Sequence, residues 1–217
     1  MSPRLFLCLV LLTTPAAAST NLLMNPSFED GAVHDAYGSM NWTPFGAVFN
    51  VDDTIIPLVE AQDGDFYLKM FGPNSGVFQD HAIAGSTELE ASLYVMNAAF
   101  DPMLPGCVGF ARLEYFDAGS GFISATDSSL LDHTLPSDTW TQVTIDDTAP
   151  ANAATVRFVA LGQCSAGGAV MFDSASLSVP PPPEPETIPF LDPWQTAALG
   201  VVLLGLGYVV LRSQGAS

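Results

Sequence analysis

The chain has 217 residues, of which 23 are acidic and five are lysine or arginine, for a formal net charge of −18. A surface of that sign repels nucleic acid and anionic lipid, which excludes partners held through phosphate. The acids are interspersed with Val, Leu, Phe and Tyr, which excludes a disordered acidic tail.

The first element is a targeting segment. Arg4 precedes the short apolar core 5–12, and residues 13–19 are small and contain an Ala-x-Ala pattern. This predicts a secretory signal over residues 1–18, cleaved after Ala18 and removed together with Cys8.

Residues 19–179 read as one domain, long enough to bury a single core. The domain holds 20 of the 23 acidic residues against Lys69, Arg112 and Arg157 alone, a net charge of −17. Its body reads as strands. In 89–95, Leu89, Ala91, Leu93 and Val95 alternate with Glu90, Ser92 and Tyr94, and 111–115 sets Arg112 and Glu114 opposite Leu113 and Tyr115. The turn 117–121 predicts a hairpin between that strand and 122–126, and further strands are expected at 140–145, 155–161 and 169–179. No long stretch has helical periodicity. The expected fold class is therefore all-β: an antiparallel β-sandwich or jelly roll.

Cys107 and Cys164 are the cysteines left after signal removal, and an even pair in an exported chain reads as one disulfide. A metal or catalytic thiol is the alternative, although no His neighbours either in sequence. Strand alternation places Asp173 with Met171, Ala175, Leu177 and Val179 on the expected core face. A buried carboxylate needs a strong partner. With three basic residues available, bound calcium, which takes six to eight oxygen ligands, is the natural candidate. A backbone amide partner or an exposed strand end is the other reading.

Sugar recognition needs aromatic faces and planar polar groups. Gln79 and His81 share one strand face, Tyr94 and Glu90 another, and Arg112 and Glu114 a third; if these coincide, they form a saccharide cleft. An ordinary solvated face is the rival. Trp42 and Trp140 fit core or rim packing better than sugar stacking. His34, His81 and His133 lie in unrelated contexts, and no nucleophile-elbow or metalloprotease motif is present, so no catalytic site is expected.

Residues 180–193 form a proline-rich linker. They lead into an 18-residue run without charge, 194–211, long enough to span a bilayer as a helix. A short tail, 212–217, carries only Arg212 as a charge.

Two resemblances add to this. Asn21-Leu-Leu-Met-Asn-Pro-Ser-Phe-Glu29-Asp-Gly31 and Val170-Met-Phe-Asp173-Ser-Ala-Ser-Leu177 resemble the opening and closing motifs of galactose-binding-like jelly rolls, the carbohydrate-binding modules appended to xylanases and cellulases. That resemblance implies a structural calcium joining the first and last strands, with Ser27 (carbonyl), Glu29, Asp63 and Asp173 as its ligands. Ile188, Pro189, Phe190 and Leu191, followed by Trp194, resemble the opening of the IPTL-CTERM sorting signal, a relative of the PEP-CTERM signals. Phe190 stands where threonine is usual, and one arginine stands where several are typical. This resemblance implies an exosortase-type enzyme as partner and at least transient membrane anchoring; a plain membrane anchor is the alternative. The sequence reads as an exported, surface-sorted, non-catalytic module for extracellular polysaccharide or matrix glycan. A structural surface or biofilm-matrix protein without a sugar site is the rival, and a hydrolase on a β-sandwich is a third reading.

Overall fold

The computed structural model describes residues 19–30, 39–55 and 57–181. The expected signal peptide, sorting motif and membrane helix, with His34, lie outside the described residues. Among the described residues there are eight strands and no helix: β1 Thr43–Asp52, β2 Phe66–Ala82, β3 Glu88–Met96, β4 Cys107–Phe116, β5 Phe122–Asp127, β6 Leu131–Asp132, β7 Thr141–Thr148 and β8 Thr155–Ser178. The strands expected near 89, 111, 122 and 140 are β3, β4, β5 and β7, and β4 and β5 form the expected hairpin. The two strands expected at 155–161 and 169–179 are one long strand, β8. β1 had no clear alternation to announce it.

Every pairing between strands is antiparallel. The order β1-β2-β8-β3-β7 makes the main path, and β4 adds to β8 and carries β5 and β6. The two long strands, β2 and β8, contribute to two layers each. Residues 155–162 of β8 lie between 75–82 of β2 and β4, whereas 66–71 of β2 and 169–178 of β8 lie in the layer with β3, and β1 follows β2 through both. The ladders shift register between the layers, at Phe45/Ala47 in β1 and around Gly72 in β2. Gly168 sits in this bend at φ +77, and a Cβ there would collide with the Pro102 carbonyl. Only glycine meets both conditions.

One core joins the layers. Val77, Leu113, Tyr115 and Phe158 come from the first layer, and Val48, Leu68, Leu93 and Phe172 from the second, all at most 1% exposed. Each such side chain contributes on the order of 1.5–3 kcal/mol by leaving water. The segment before β1 closes one end of the core. Phe28 and Trp42 pack 5.1 Å apart, and the Trp42 indole donates to the Asn25 carbonyl at 2.9 Å. The opening motif is consumed in anchoring. Asn21 bonds both Ala175 and Leu177 of β8, Leu23 enters the core, and Asn25 donates to the Asp30 and Met40 carbonyls.

Asp173 departs from the expected face. A one-residue bulge at Ser174 (φ +46) shifts the β3–β8 register between Ser92 and Tyr94. The bulge reverses the alternation. Ala175 and Leu177 join the main core, while Met171 belongs to a second cluster on the outer face, with Asp173 on its side of the strand. Val179 is 43% exposed, not a core residue.

Cys107 and Cys164 form a buried disulfide between directly paired positions of β4 and β8. The bridge closes a separation of 57 residues. A loop of that size stabilises by about 2–4 kcal/mol, chiefly through the unfolded chain. Reduction, or Cys107→Ser with Cys164→Ser, is expected to lower Tm by roughly 5–15 °C. Calorimetry with and without reductant checks this, and a melt indifferent to reductant counts against it.

Candidate functional site

The expected saccharide residues do not share one surface. Arg112 and Glu114 stand on the outer face of the first layer, over the cluster of Phe110, Val159 and Leu161. Gln79 and His81 point the other way. Between Gly72 and Ser75, β2 takes three steps where β8 takes two, from Cys164 to Gly162. The extra residue reverses the alternation, so Val77, Gln79 and His81 face inward and Phe78 and Asp80 outward. Gln79 is 7% exposed and ties down the N-terminal segment, donating to the Met24 carbonyl and accepting from its N–H. The His81 Nε2 is buried without a partner, and burial lowers its pKa against the opposing charge of Asp80. Tyr94 pairs with Asp173 and Gln142 on the second layer, away from Arg112.

Sequence reasoning missed what does surround Arg112. Asp80, Arg157, Glu114, Arg112 and Asp127 form a row across β2, β8, β4 and β5. Arg157 makes two bonds to Asp80, at 2.6 and 3.0 Å, and Arg112 makes two to Asp127, at 2.6 and 2.9 Å. These bonds, ahead of the direct charge attraction, raise both guanidinium pKa values. Arg157 lies 3.9 Å above the Phe78 ring and Arg112 5.5 Å above Phe110. Both arginines are therefore held by a fork below and a ring behind. Each leaves Nη1 facing the central Glu114, at 4.0 Å from Arg112 and 3.9 Å from Arg157. Those gaps exceed hydrogen-bond length, so donors and acceptor keep unused capacity. Phe45, Asn74 and Gln163 complete an open cleft of about 310 Å³. The alternation of β8, with Arg157, Val159 and Leu161 against Val156, Phe158 and Ala160, was a readable signal for Arg157.

The Glu29 and Asp173 carboxylates meet at the turn 62–66. Asp173 is fully buried and accepts from the N–H groups of Gln62 (2.7 Å), Asp63 (3.1 Å) and Ser174 (2.6 Å). Glu29 accepts from Asp65 (3.0 Å) and Phe66 (2.9 Å). Gly64, at φ +74, lies so close to Glu29 that any Cβ would collide with the carboxylate. Burial pushes the Asp173 carboxyl up to about 7; the three amides pull it down and the Glu29 charge adds to the rise. The expected set of three acids does not form. Asp63 gives its amide to Asp173 and keeps an exposed side chain, because the turn directs N–H groups at the carboxylate. Among the described residues no group of three or more His, Cys, Asp or Glu side chains could hold a metal ion. Glu29 and Asp173 alone suit an oxygen-seeking cation by charge, so carbonyls or water would have to supply its other ligands.

No protein-family model and no curated protein matches the chain. Solved structures match in fold. The CBM22-1 xylan-binding domain from Paenibacillus barcinonensis Xyn10C superposes with a TM-score of 0.53 at 16% identity, over 77% of this chain and 99% of that one. TmCBM61, solved in complex with β-1,4-galactotriose, gives 0.51 at 17% identity, over 74% and 99%. The enzymatically active domain of bacteriophage CBA120 tailspike protein 4 gives 0.50 at 12% identity, over 73% of this chain and 21% of that one. The chain has the jelly-roll fold of the two binding modules. It spans nearly all of each module and about a fifth of the tailspike chain.

Asp173 sets a pH dependence. Its folded pKa lies above the unfolded value of about 3.9, so its contribution is fully present below that value and lost as pH rises through 7. With a chelator present, wild type should lose up to about 4 kcal/mol relative to Asp173→Asn between pH 4 and 7, on the order of 10 °C in Tm. Paired melts across that range check it; parallel curves would contradict it.

Proposed function

We propose that this domain is a non-catalytic module that binds extracellular polysaccharide through the outer face of β2, β8 and β4. One observation carries the reading: Glu114 sits between two immobilised guanidinium groups with a gap on either side. Adjacent sugar hydroxyls both donate and accept, and can bridge carboxylate and guanidinium at once. Because Asp80 and Asp127 already hold the arginines, little side-chain entropy is lost on binding. Phe45 supplies apolar surface beside the polar row. The solved modules of the same fold, one a xylan-binding domain and one holding β-1,4-galactotriose, support this choice of ligand class. Export over residues 1–18, anchoring over 194–211 and sorting through Ile188–Leu191 belong to the same proposal, since matrix glycans lie outside the cell.

Binding of xylan and β-1,4-galactan by the full chain, measured by isothermal titration, tests the face. Glu114→Gln and Arg157→Met are expected to weaken binding about tenfold or more, the cost of one lost charged hydrogen bond. Tyr94→Ala should leave binding unchanged. Absence of binding to these and other glycans would leave the structural matrix protein as the better reading.

Calcium at Glu29 and Asp173, with the Ser27 carbonyl nearby in sequence and the Asp63 turn bonded to both carboxylates, is proposed as a stabilising ion. The support is a fully buried carboxylate beside a second one, with no arginine or lysine among the described residues bonded to either. Calcium at a hundred times its Kd should raise stability by about 2.7 kcal/mol, or roughly 5–10 °C. A melt unaffected by both chelator and added calcium removes the ion from this account.

A further inference from the structure

A second cleft, of about 500 Å³, lies where β2 and β8 bend between the layers, and it shares no residue with the first. Its polar centre is Lys69, bonded to Asp101 at 2.6 Å, with side chains 23% and 36% exposed. The Lys69 ammonium also lies 5.1 Å from the Phe100 ring centroid. Phe71, 37% exposed, lines the cleft and stacks on Phe49 at 5.4 Å with their planes 14° apart. Gly167 and Gly168 form a wall without side chains.

We propose that this cleft is a second saccharide site, taking a neutral sugar ring against Phe71 with hydroxyls on Lys69 and Asp101. Three observations select that ligand. The volume falls in the 300–1,000 Å³ range of small-ligand sites. The ion pair makes the cleft locally neutral. An anionic ligand would meet Asp101 and the field of a domain at −17, and a cationic one, though drawn by that field, would have to displace Lys69 from Asp101. The pair also keeps free capacity: the ammonium has three donors and the carboxylate a second oxygen, enough for a hydroxyl pair. Phe71 is backed on one face by Phe49, so its other face is a platform for ring C–H groups. The domain would then hold glycan at two places on one continuous outer surface, one on each side of the bend. The second site stands on its own residues and survives failure of the first.

Lys69 is the only lysine in the chain, which makes the test specific. The full chain is treated with an amine-acylating reagent, with and without β-1,4-galactotriose or xylohexaose, and acylation of the Lys69 peptide is followed by mass spectrometry. Sugar at ten times its Kd should slow acylation about tenfold. Phe71→Ala should abolish that protection while keeping the wild-type melting temperature. Glu114→Gln and Arg157→Met, in the first cleft, should leave protection intact. If titration shows sugar binding while Lys69 reacts at its unliganded rate, the second site is overturned and the first stands. Protection that persists in the first-cleft variants while their heat of binding is unchanged supports the second site and removes the first. Lack of both heat and protection with either probe at millimolar concentration overturns both.

Discussion

The pairing of β2 with β8 is the constraint on which the other features depend. It runs through both layers, and its irregularities decide what each face carries. β8 inserts residues 165–168 between the partners of Phe71 and Gly72, an even number that preserves its own alternation. β2 adds a single residue between Gly72 and Ser75, an odd number that reverses it. Leu68 and Met70 point inward before the bend, and Val77 and Gln79 after it. Phe78 and Asp80 are thereby turned outward to meet Arg157, and the polar row exists because of one extra residue. The disulfide lies beside this bend, on the strand pair next to it.

The two ends of the domain are fixed by a different device. The segment 21–29 is not a strand, yet it bonds β8 through Asn21 and the Leu22 N–H, β2 through Gln79, and the turn 62–66 through Glu29. Asp173 grips the same turn from β8. Two carboxylates therefore replace the side-chain packing that a glycine-containing turn cannot offer. Placing a fully buried carboxylate on backbone amides satisfies its oxygens while leaving its charge uncompensated, which is why its pKa rises despite three donors. The turn is held firmly only while that balance holds.

Much of this was legible in the residues. Clean alternation over 89–95, 111–115 and 155–161 marked strands whose inward positions are now core. The cysteine pair marked one disulfide, and only the fold shows that it joins neighbouring strands. Some failures come from the layer or the turn, as for Tyr94 and Asp63, and one comes from parity. Bulges at Gly72–Ser75 and at Ser174 reverse the alternation inside a strand, and a period-two reading carries the wrong parity past them. Asp173 was placed inward with Ala175 for that reason, whereas Gln79 and His81 were read from 77–83 alone as a face for sugar. A local cue existed: Val77 and Ile83 share the parity of Gln79, and two aliphatic residues on one face mark it as core. The motif 21–29 was recognisable as a pattern, but its work, hydrogen bonds to strands 55 and 154 residues away, is a property of the tertiary fold.

The domain's three cations follow one plan. Arg157 binds Asp80 and covers Phe78, Arg112 binds Asp127 and covers Phe110, and Lys69 binds Asp101 and lies near Phe100. All three stand on the outer face of the bent sheet. In a domain with 20 acidic residues, carboxylate partners are abundant and cations are scarce. Exposed ion pairs of this kind contribute about 0–1 kcal/mol each, so stability is a weak reason to spend every cation this way. What the arrangement does achieve is rigidity. A cation forked by a carboxylate and backed by a ring cannot wander over a strongly acidic surface, and its remaining donors keep a fixed direction. A neutral, hydroxyl-rich ligand gains from fixed donors and acceptors in alternation, and gains nothing from net charge. The distribution of three positive charges thus argues for an outer surface organised to be read by polar groups at short range, not by its field.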